Sequence, residues 1–322
     1  MTPAFSVVIP TFRRGEALAE CLESLLALDY PLDRIEVVIV DNGGASENTT
    51  AFSEPFKNRL SLRHLVNKVN RGYGFSVNRG IVESTGDCIL LLNDDARPMP
   101  DLLRKASQLL EADASIGAIG CRAQEAGYLR TSTEVGAISD RGEVIGNFDY
   151  DCGSPIDVEH LYGFCYFFTR EAVRRAGLND RTLLAQPYSS GNRIETDHCL
   201  MMRKRGLRVV YHPGMVAVHL AKPRPDMSER SPRWQRNEIR NTIYLFLKHF
   251  GLFGKNASAL RLTFVKDVGI LSALRKPSAA NWSYFFHGCG SRASAYWHWV
   301  KYLAGRRVDS VEAMTRSLEK DN

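Results

Sequence analysis

Short apolar runs recur along this chain, and each ends on turn residues or acids. Phe5 to Ile9 (FSVVI) is closed by Pro10 and Thr11, since Pro has no N–H for a ladder. Ile35 to Val40 (IEVVIV) is broken by Asp41-Asn42-Gly43-Gly44. Leu60 to Leu65, Cys88 to Leu92 (CILLL) and Ile116 to Cys121 follow. Between the first two runs, Leu18, Cys21, Leu22, Leu25 and Leu26 fall at helical spacing, which predicts a helix over Gly15 to Leu28. Strand, helix, strand in that span is a βαβ unit, so the fold class is α/β with a largely parallel central sheet and flanking helices. CILLL is apolar without alternation, the pattern of a strand buried on both faces.

Further along, Asp101 to Ala112 reads as a helix, and Gln124 to Asp157 as hairpins and loops. Tyr162 to Thr169 is an aromatic strand, followed by a helix from Arg170 to Ala176. Asn179 to Arg193 has no periodicity, and a loop of that length is often functional. Ile194 to Gly206 is a helix with Glu195 and Asp197 at its start and Arg203, Lys204 and Arg205 at its end, both suited to the helix dipole. Leu207 to Tyr211 is a final strand, and His219 follows the apolar stretch Met215 to Val218. Residues 222–234 carry three prolines among charges and read as a linker. Helices are predicted over Trp234 to Phe250, Ala257 to Ser272 and Arg292 to Leu303. Two regions result, an α/β domain over 1–221 and a helical region over 222–322.

Composition sharpens this division. Hydrophobic content of 44% and charged content of 24% are those of an ordinary globular protein. The net charge of +6 is uneven, with 18 Lys and Arg against 8 Asp and Glu in residues 222–322 and an excess of acids before them. Seven cysteines without a CxxC pair argue for reduced thiols and against a zinc site. No run is long enough to span a membrane, and the first residues lack a signal-like segment, so a cytoplasmic location is expected. The basic C-terminal region interleaves Trp282, Tyr284, Phe285, Phe286, Tyr296, Trp297, Trp299 and Tyr302 with Arg275, Lys276, Arg292, Lys301, Arg306 and Arg307. That mixture suits peripheral contact with the inner face of a membrane as well as plain helix packing. No helix-turn-helix or RNA-binding signature is present, so nucleic acid is not an expected partner.

The candidate chemistry gathers at strand ends. Asn93-Asp94-Asp95 closes CILLL, and adjacent acids there are costly unless a cation shares them; a solvated turn would use the same residue types. Asp41 could accept a bond from a nucleobase or ribose, or cap a turn. Asn67 to Asp87 contains Gly72 and Gly74 but lacks the third glycine of GxGxxG and does not follow the first strand, which excludes a dehydrogenase fingerprint. Asn70, Arg71, Asn78 and Arg79 instead flank a tight turn suited to a pyrophosphate or to a solvated helix face. Glu195 could act as a general base, and His219 as a metal ligand or an ordinary packed histidine.

Together, SVVIPTF, VVIVDNGG, NRGYGFSVNRG, LLLNDDARP, ETDHCLMMRKRG, VVYHPGMVAVH and WQRNEIRNTIYLFLKHF resemble, in order, the motifs of family 2 inverting glycosyltransferases with the GT-A fold, and of their rhamnosyltransferase-like group. The resemblance covers about Phe5 to Phe250. It implies metal-dependent transfer of a hexose or deoxyhexose from a nucleoside-diphosphate sugar to a glycan or lipid-linked acceptor. Asp95 and His219 would hold Mn²⁺ or Mg²⁺, and Glu195 would be the base, with Asp197 in reserve. Thr11, Arg13, Asp41, Asn70, Arg71, Gly72, Asn78, Arg79, Asn93 and Asp94 would contact the donor. Two departures stand out: Asn93 replaces the first acid of the metal motif, and Ile194 replaces the first of two adjacent acids before the base. A sugar-nucleotide-binding protein without catalysis is the alternative. A nucleotidyltransferase fits less well, because TFRRGEA lacks the expected Gly-rich, Lys-containing loop.

Overall fold

The computed structural model describes residues 4–43, 49–125, 134–145, 149–183, 193–220, 232–266 and 268–305. The loop residues Tyr188 to Gly191 and the expected boundary at 221/222 lie outside them. The chain runs β1 (Phe5–Thr11), α1 (Gly15–Leu26), β2 (Ile35–Asp41), α2 (Thr49–Ser53), β3 (Ser61–Val66), α3 (Tyr73–Glu83), β4 (Cys88–Leu92), β5 (Ala96–Pro98), α4 (Leu102–Ala112) and β6 (Ile116–Glu125). Then come β7 (Ala137–Ile138), β8 (Val144–Ile145), β9 (Ile156–Asp157), β10 (Cys165–Thr169), α5 (Arg170–Ala176), α6 (Ile194–Lys204) and β11 (Arg208–His219). Four helices close the described chain: α7 (Pro232–Phe250), α8 (Gly254–Phe264), α9 (Ile270–Arg275) and α10 (Ala279–Leu303).

The main sheet has the order β3-β2-β1-β4-β10-β6-β11-β5, with β9 also on β11. β3, β2, β1 and β4 are parallel, as is the β6–β11 pair. β10 runs antiparallel between β4 and β6, and β5 and β9 run antiparallel to β11. Strand alternation divides the apolar residues between two cores. Phe5, Val7, Ile9, Leu90 and Leu92 face α1 and α4; Val8, Ile89 and Leu91 join Phe75 and Val77 of α3. β4 is buried along its whole length, as its unbroken apolar sequence requires.

Four elements differ from the expected boundaries. β1 runs on through Pro10 and Thr11, which pair with Val40 and Asp41 of β2, and the helix expected over Ala257 to Ser272 is two, α8 and α9. β11 is one long strand, not two runs. Its ladder to β6 breaks between His212 and Val216, where Pro213, Gly214 and Met215 bulge out, and resumes at Val216 opposite Arg122. The extension pairs His219 with Ala96 of β5, and Leu220 N–H donates to the Asp95 carbonyl at 2.9 Å. α10 begins well before Arg292, because Ser278 caps it by accepting from Asn281 N–H at 3.1 Å. Gly288 then lets it lie close to Ile239 of α7.

α7 packs against α6. Ile239, Ile243, Tyr244 and Phe246 share a core with Ile194 and Leu200 of α6. α3 seats on the sheet at Gly80, where a Cβ would come within 2.3 Å of Val8 Cγ1. Gly80→Val should therefore lower unfolding free energy by about 1–3 kcal/mol through overpacking, measured by urea denaturation.

Candidate active site

The parallel strands β1, β2 and β4 bring Thr11, Asp41 and Asn93-Asp94-Asp95 to one edge of the sheet. Asp94 and Asp95 are both nearly inaccessible. Thr11 Oγ1 donates to Asp94 Oδ2 at 2.8 Å. Arg14 spans the pair, donating from Nη1 to Asp94 Oδ1 at 2.9 Å and from Nη2 to Asp95 Oδ2 at 2.8 Å. The remaining Asp95 oxygen, Oδ1, is buried without a hydrogen bond, and His219 Nε2 stands 3.5 Å from it. Burial alone would raise the Asp95 pKa. His219 and the Arg14 guanidinium outweigh it and hold the carboxyl well below the usual range. Tyr162 and Phe164 rings pack on the His219 imidazole with centroids 5.8 and 5.0 Å away, fixing its plane.

The cation on the acid pair is Arg14, a residue outside the expected set of donor contacts. Arg13 has a φ of 54°, and its guanidinium lies 5.2 Å from the Phe12 ring centroid. The left-handed kink at Arg13 hands the inward position to its neighbour at the start of α1. Two consecutive arginines in TFRRGEA signal a cation here, but nothing in their spacing chooses between them.

Asp41 is buried at the tip of β2, accepting from Gly43 N–H at 2.8 Å, with His64 Nε2 3.8 Å away. Next to it an asparagine lattice shapes the turn before α3. Asn42 Oδ1 accepts from Asn67 Nδ2 at 3.0 Å and from Arg71 N–H at 2.9 Å, while its Nδ2 donates to Asn70 Oδ1 at 2.6 Å. Asn70 Oδ1 also receives Gly72 N–H at 2.9 Å, and Gly72 holds a φ of 84° that suits glycine. Arg71 stacks on Phe75, 4.2 Å from its centroid. Asn78 and Arg79 serve the framework instead of this turn. Asn78 exchanges hydrogen bonds with Asn179, and Arg79 donates to Val66 O and Asn67 Oδ1.

Glu195 lies in the first turn of α6, partly buried against Gly163. A Cβ on Gly163 would sit 3.0 Å from the Glu195 carboxyl carbon, so the glycine leaves the space that the carboxyl fills. Tyr73 OH donates to Gly163 O at 3.4 Å and to Asn93 Oδ1 at 3.2 Å. The base candidate and the end of β4 are therefore joined through one turn and one phenol. Burial pushes the Glu195 carboxyl up to about 7, against the opposing pull of its own backbone N–H and Arg193. Such a group is poised to exchange a proton near neutrality.

Asp197, held in reserve as a base, has no such freedom. Lys248 Nζ donates to its Oδ2 at 2.8 Å, and His249 Nε2 is 2.6 Å from its Oδ1. Lys248 Nζ also reaches Asp180 Oδ2 at 2.7 Å, which takes a further bond from Tyr244 OH at 2.9 Å. Burial would raise the Asp197 pKa, but Lys248 and His249 hold it well below the carboxylate range. This acid is a tether between α6 and α7. Arg193 adds a second tether, pairing with Glu238 at 2.6 Å and Thr242 at 3.1 Å. Lys248 and Tyr244, four residues apart on an apolar helix face, were the available sequence signal for this network.

Similar proteins place these observations in a known class. A mannosyltransferase from Pyrobaculum calidifontis, solved in complex with GDP-Man and Mn²⁺, aligns over 95% of this chain and 89% of its own, with TM-score 0.56 and 18% identity. TarS 1–349 from S. aureus, in complex with UDP-GlcNAc, aligns over 91% and 81%, with TM-score 0.65 and 14% identity. The fold is GT-A. The family described as Glycosyl transferase family 2 matches residues 6–177, and the chain belongs to that family. Glycosyltransferase AglE from Haloferax volcanii is 31% identical over 106 residues, covering 32% of this chain and 34% of AglE. Poly(ribitol-phosphate) beta-N-acetylglucosaminyltransferase TarS from Staphylococcus aureus is 28% identical over 108 residues, covering 33% of this chain and 19% of TarS. The matched stretches thus span a third or less of this chain's length and a small part of either relative.

Removing the Lys248 charge leaves two buried carboxylates without their cation. Lys248→Met should cost about 3–5 kcal/mol of stability at pH 7, read by urea denaturation. Because the Asp197 pKa is depressed in the fold, its contribution is complete above the unfolded value and falls away as pH drops below it. The deficit of the variant should therefore narrow below about pH 4.

Proposed function

We propose that this family 2 glycosyltransferase transfers a hexosyl or deoxyhexosyl unit from a nucleoside-diphosphate sugar to an acceptor hydroxyl, with inversion at the anomeric carbon. The observation that carries the proposal is the raised carboxyl of Glu195, linked through Gly163 and Tyr73 to the acid pair at the end of β4. Glu195 takes the proton of the acceptor hydroxyl as its oxygen bonds to the anomeric carbon. The bond from that carbon to the diphosphate oxygen breaks on the opposite face. Asp41 and the turn built by Asn42, Asn67, Asn70, Arg71 and Gly72 receive the nucleoside and diphosphate.

The donor set at the strand end fits a divalent cation. Asp95 Oδ1 is buried without a hydrogen bond and faces an imidazole nitrogen, and carboxylate oxygens suit Mn²⁺ or Mg²⁺. Among the described residues no three His, Cys, Asp or Glu side chains form a metal-holding group, so the donor's phosphates would complete the coordination. Asp95 and His219 would hold the ion, with Asp94 adding charge. Such an ion supplies Lewis-acid neutralisation of the departing diphosphate. Arg14 already balances the acids on their other side and keeps their oxygens fixed.

The acceptor in this reading is a cell-surface glycan or a lipid-linked intermediate, and transfer takes place on the cytoplasmic side. TarS, which shares the fold, is named for a poly(ribitol-phosphate) acceptor, and this supports a polymeric or lipid-borne hydroxyl.

Nucleoside diphosphate release, measured with Mn²⁺ across UDP-, dTDP- and GDP-sugars and candidate acceptors, tests the reading. Binding without release would favour a non-catalytic sugar-nucleotide-binding protein. Glu195→Gln should reduce kcat by at least about a hundredfold with donor affinity nearly unchanged, since general-base loss typically costs that much. In the wild type, kcat/KM should rise with pH through about 7, because only the ionised Glu195 accepts a proton. Asp95→Asn should abolish any strengthening of donor binding by Mn²⁺ in calorimetry, an outcome read without turnover.

A further inference from the structure

α10 is docked by one face only. Gly288, Arg292 and Ala295 are buried on the side toward α7. On the opposite side Trp282, Phe286, Cys289, Ala293, Trp297 and Val300 follow one another at steps of three and four residues, so they form a single stripe. The stripe is solvent-facing: Phe286 is 64% exposed, Trp297 57% and Val300 50%. Trp282 stacks on Phe286 at 5.5 Å, so the rings form a continuous apolar surface. Leu271 and Leu274 of the preceding α9 are exposed as well. Exposed apolar side chains aligned on one helix face differ from the scattered single residues of an ordinary surface.

Charge decides what covers it. The sequence from Val268 to Val308 contains no Asp or Glu. Arg275 and Lys276 stand just before α10, and Lys301 stands at its end, with its ammonium 4.9 Å from the Trp297 ring centroid. A second copy of the chain would bring the same cations against one another, whereas an anionic surface would be attracted at both ends of the stripe. No helix among the described residues is long and apolar enough to cross a membrane. Trp, Phe and Leu on one face with flanking Lys and Arg is the pattern of a helix lying in the plane of a lipid headgroup layer.

We propose that the outer face of α10, with the end of α9, seats the protein on an anionic phospholipid surface. The aromatic rings enter the headgroup boundary, and Arg275, Lys276 and Lys301 meet the lipid phosphates. The inference does not depend on the sugar-transfer reading, because its test involves neither donor nor acceptor.

Co-sedimentation with vesicles of phosphatidylcholine alone and of phosphatidylcholine with phosphatidylglycerol is the experiment. The protein should bind the anionic vesicles, and binding should weaken as salt rises. Phe286→Ser and Trp297→Ser should each weaken partitioning about tenfold, as expected for losing one partly inserted aromatic ring. Both residues are exposed, so the double variant should keep the wild-type circular dichroism spectrum and urea midpoint. A wild-type protein that stays in the supernatant with both vesicle types overturns the proposal, as does a double variant that sediments like wild type. A dimer that becomes a monomer on the double substitution, seen by analytical ultracentrifugation, also overturns it by assigning the stripe to a second copy.

Discussion

Two carboxylates on consecutive residues, both out of solvent, are the constraint around which this structure is arranged. Asp94 and Asp95 cannot remain ionised side by side without compensation. The fold supplies it from two distant parts of the chain, residues 11–14 and the tip of β11. β1 delivers Thr11, the kink at Arg13 turns Arg14 inward from the start of α1, and the bulge in β11 lets that strand reach β5 with His219 at its tip. Asp95 is left with one oxygen facing an imidazole and otherwise unclaimed. The electrostatic cost of the pair thus becomes an opening suited to a cation and a phosphate.

A second buried set of charges controls the other half of the site. Glu195 and Asp197 are two residues apart on the same helix, so they point in different directions. One lies against Gly163 and is pushed up to about 7; the other is pinned by Lys248 and His249 and held low. Environments that drive neighbouring acids apart separate a proton acceptor from a structural anion. The tethers that achieve this belong to α7, so the position of Glu195 depends on a helix beyond the region matched by the family.

The sequence disclosed the sheet because unbroken apolar runs and turn residues report strand burial locally. β4 is where its pattern puts it, and β1 starts where its pattern does but runs on through Pro10 to Thr11. It disclosed the strand-end acids for the same reason. What it left open depends on side-chain direction or on contacts far along the chain. Arg13 and Arg14 are equivalent by composition, and only the positive φ at Arg13 distinguishes them. Asn78 looked like a ligand-binding amide, but its partner is Asn179, over a hundred positions away. Asp197 looked like a second base, because the helix start accounts for an acid without revealing that Lys248 faces it. The early start of α10 was hidden by Gly288 and Gly290, which lower helix propensity while permitting close packing.

The uneven charge of the chain acquires two separate meanings once the helices are in place. Cations of the C-terminal region that point inward, Lys248 above all, neutralise Asp180 and Asp197 and are withdrawn from solvent. Those near the ends of α10, Arg275, Lys276 and Lys301, remain at least partly accessible beside an apolar stripe. A net charge cannot distinguish a counter-ion from a docking surface, but burial can. The basic character of the C-terminal region therefore divides by helix face: the α7 side pins the helix that carries Glu195, and the outer α10 side keeps its cations beside exposed aromatics.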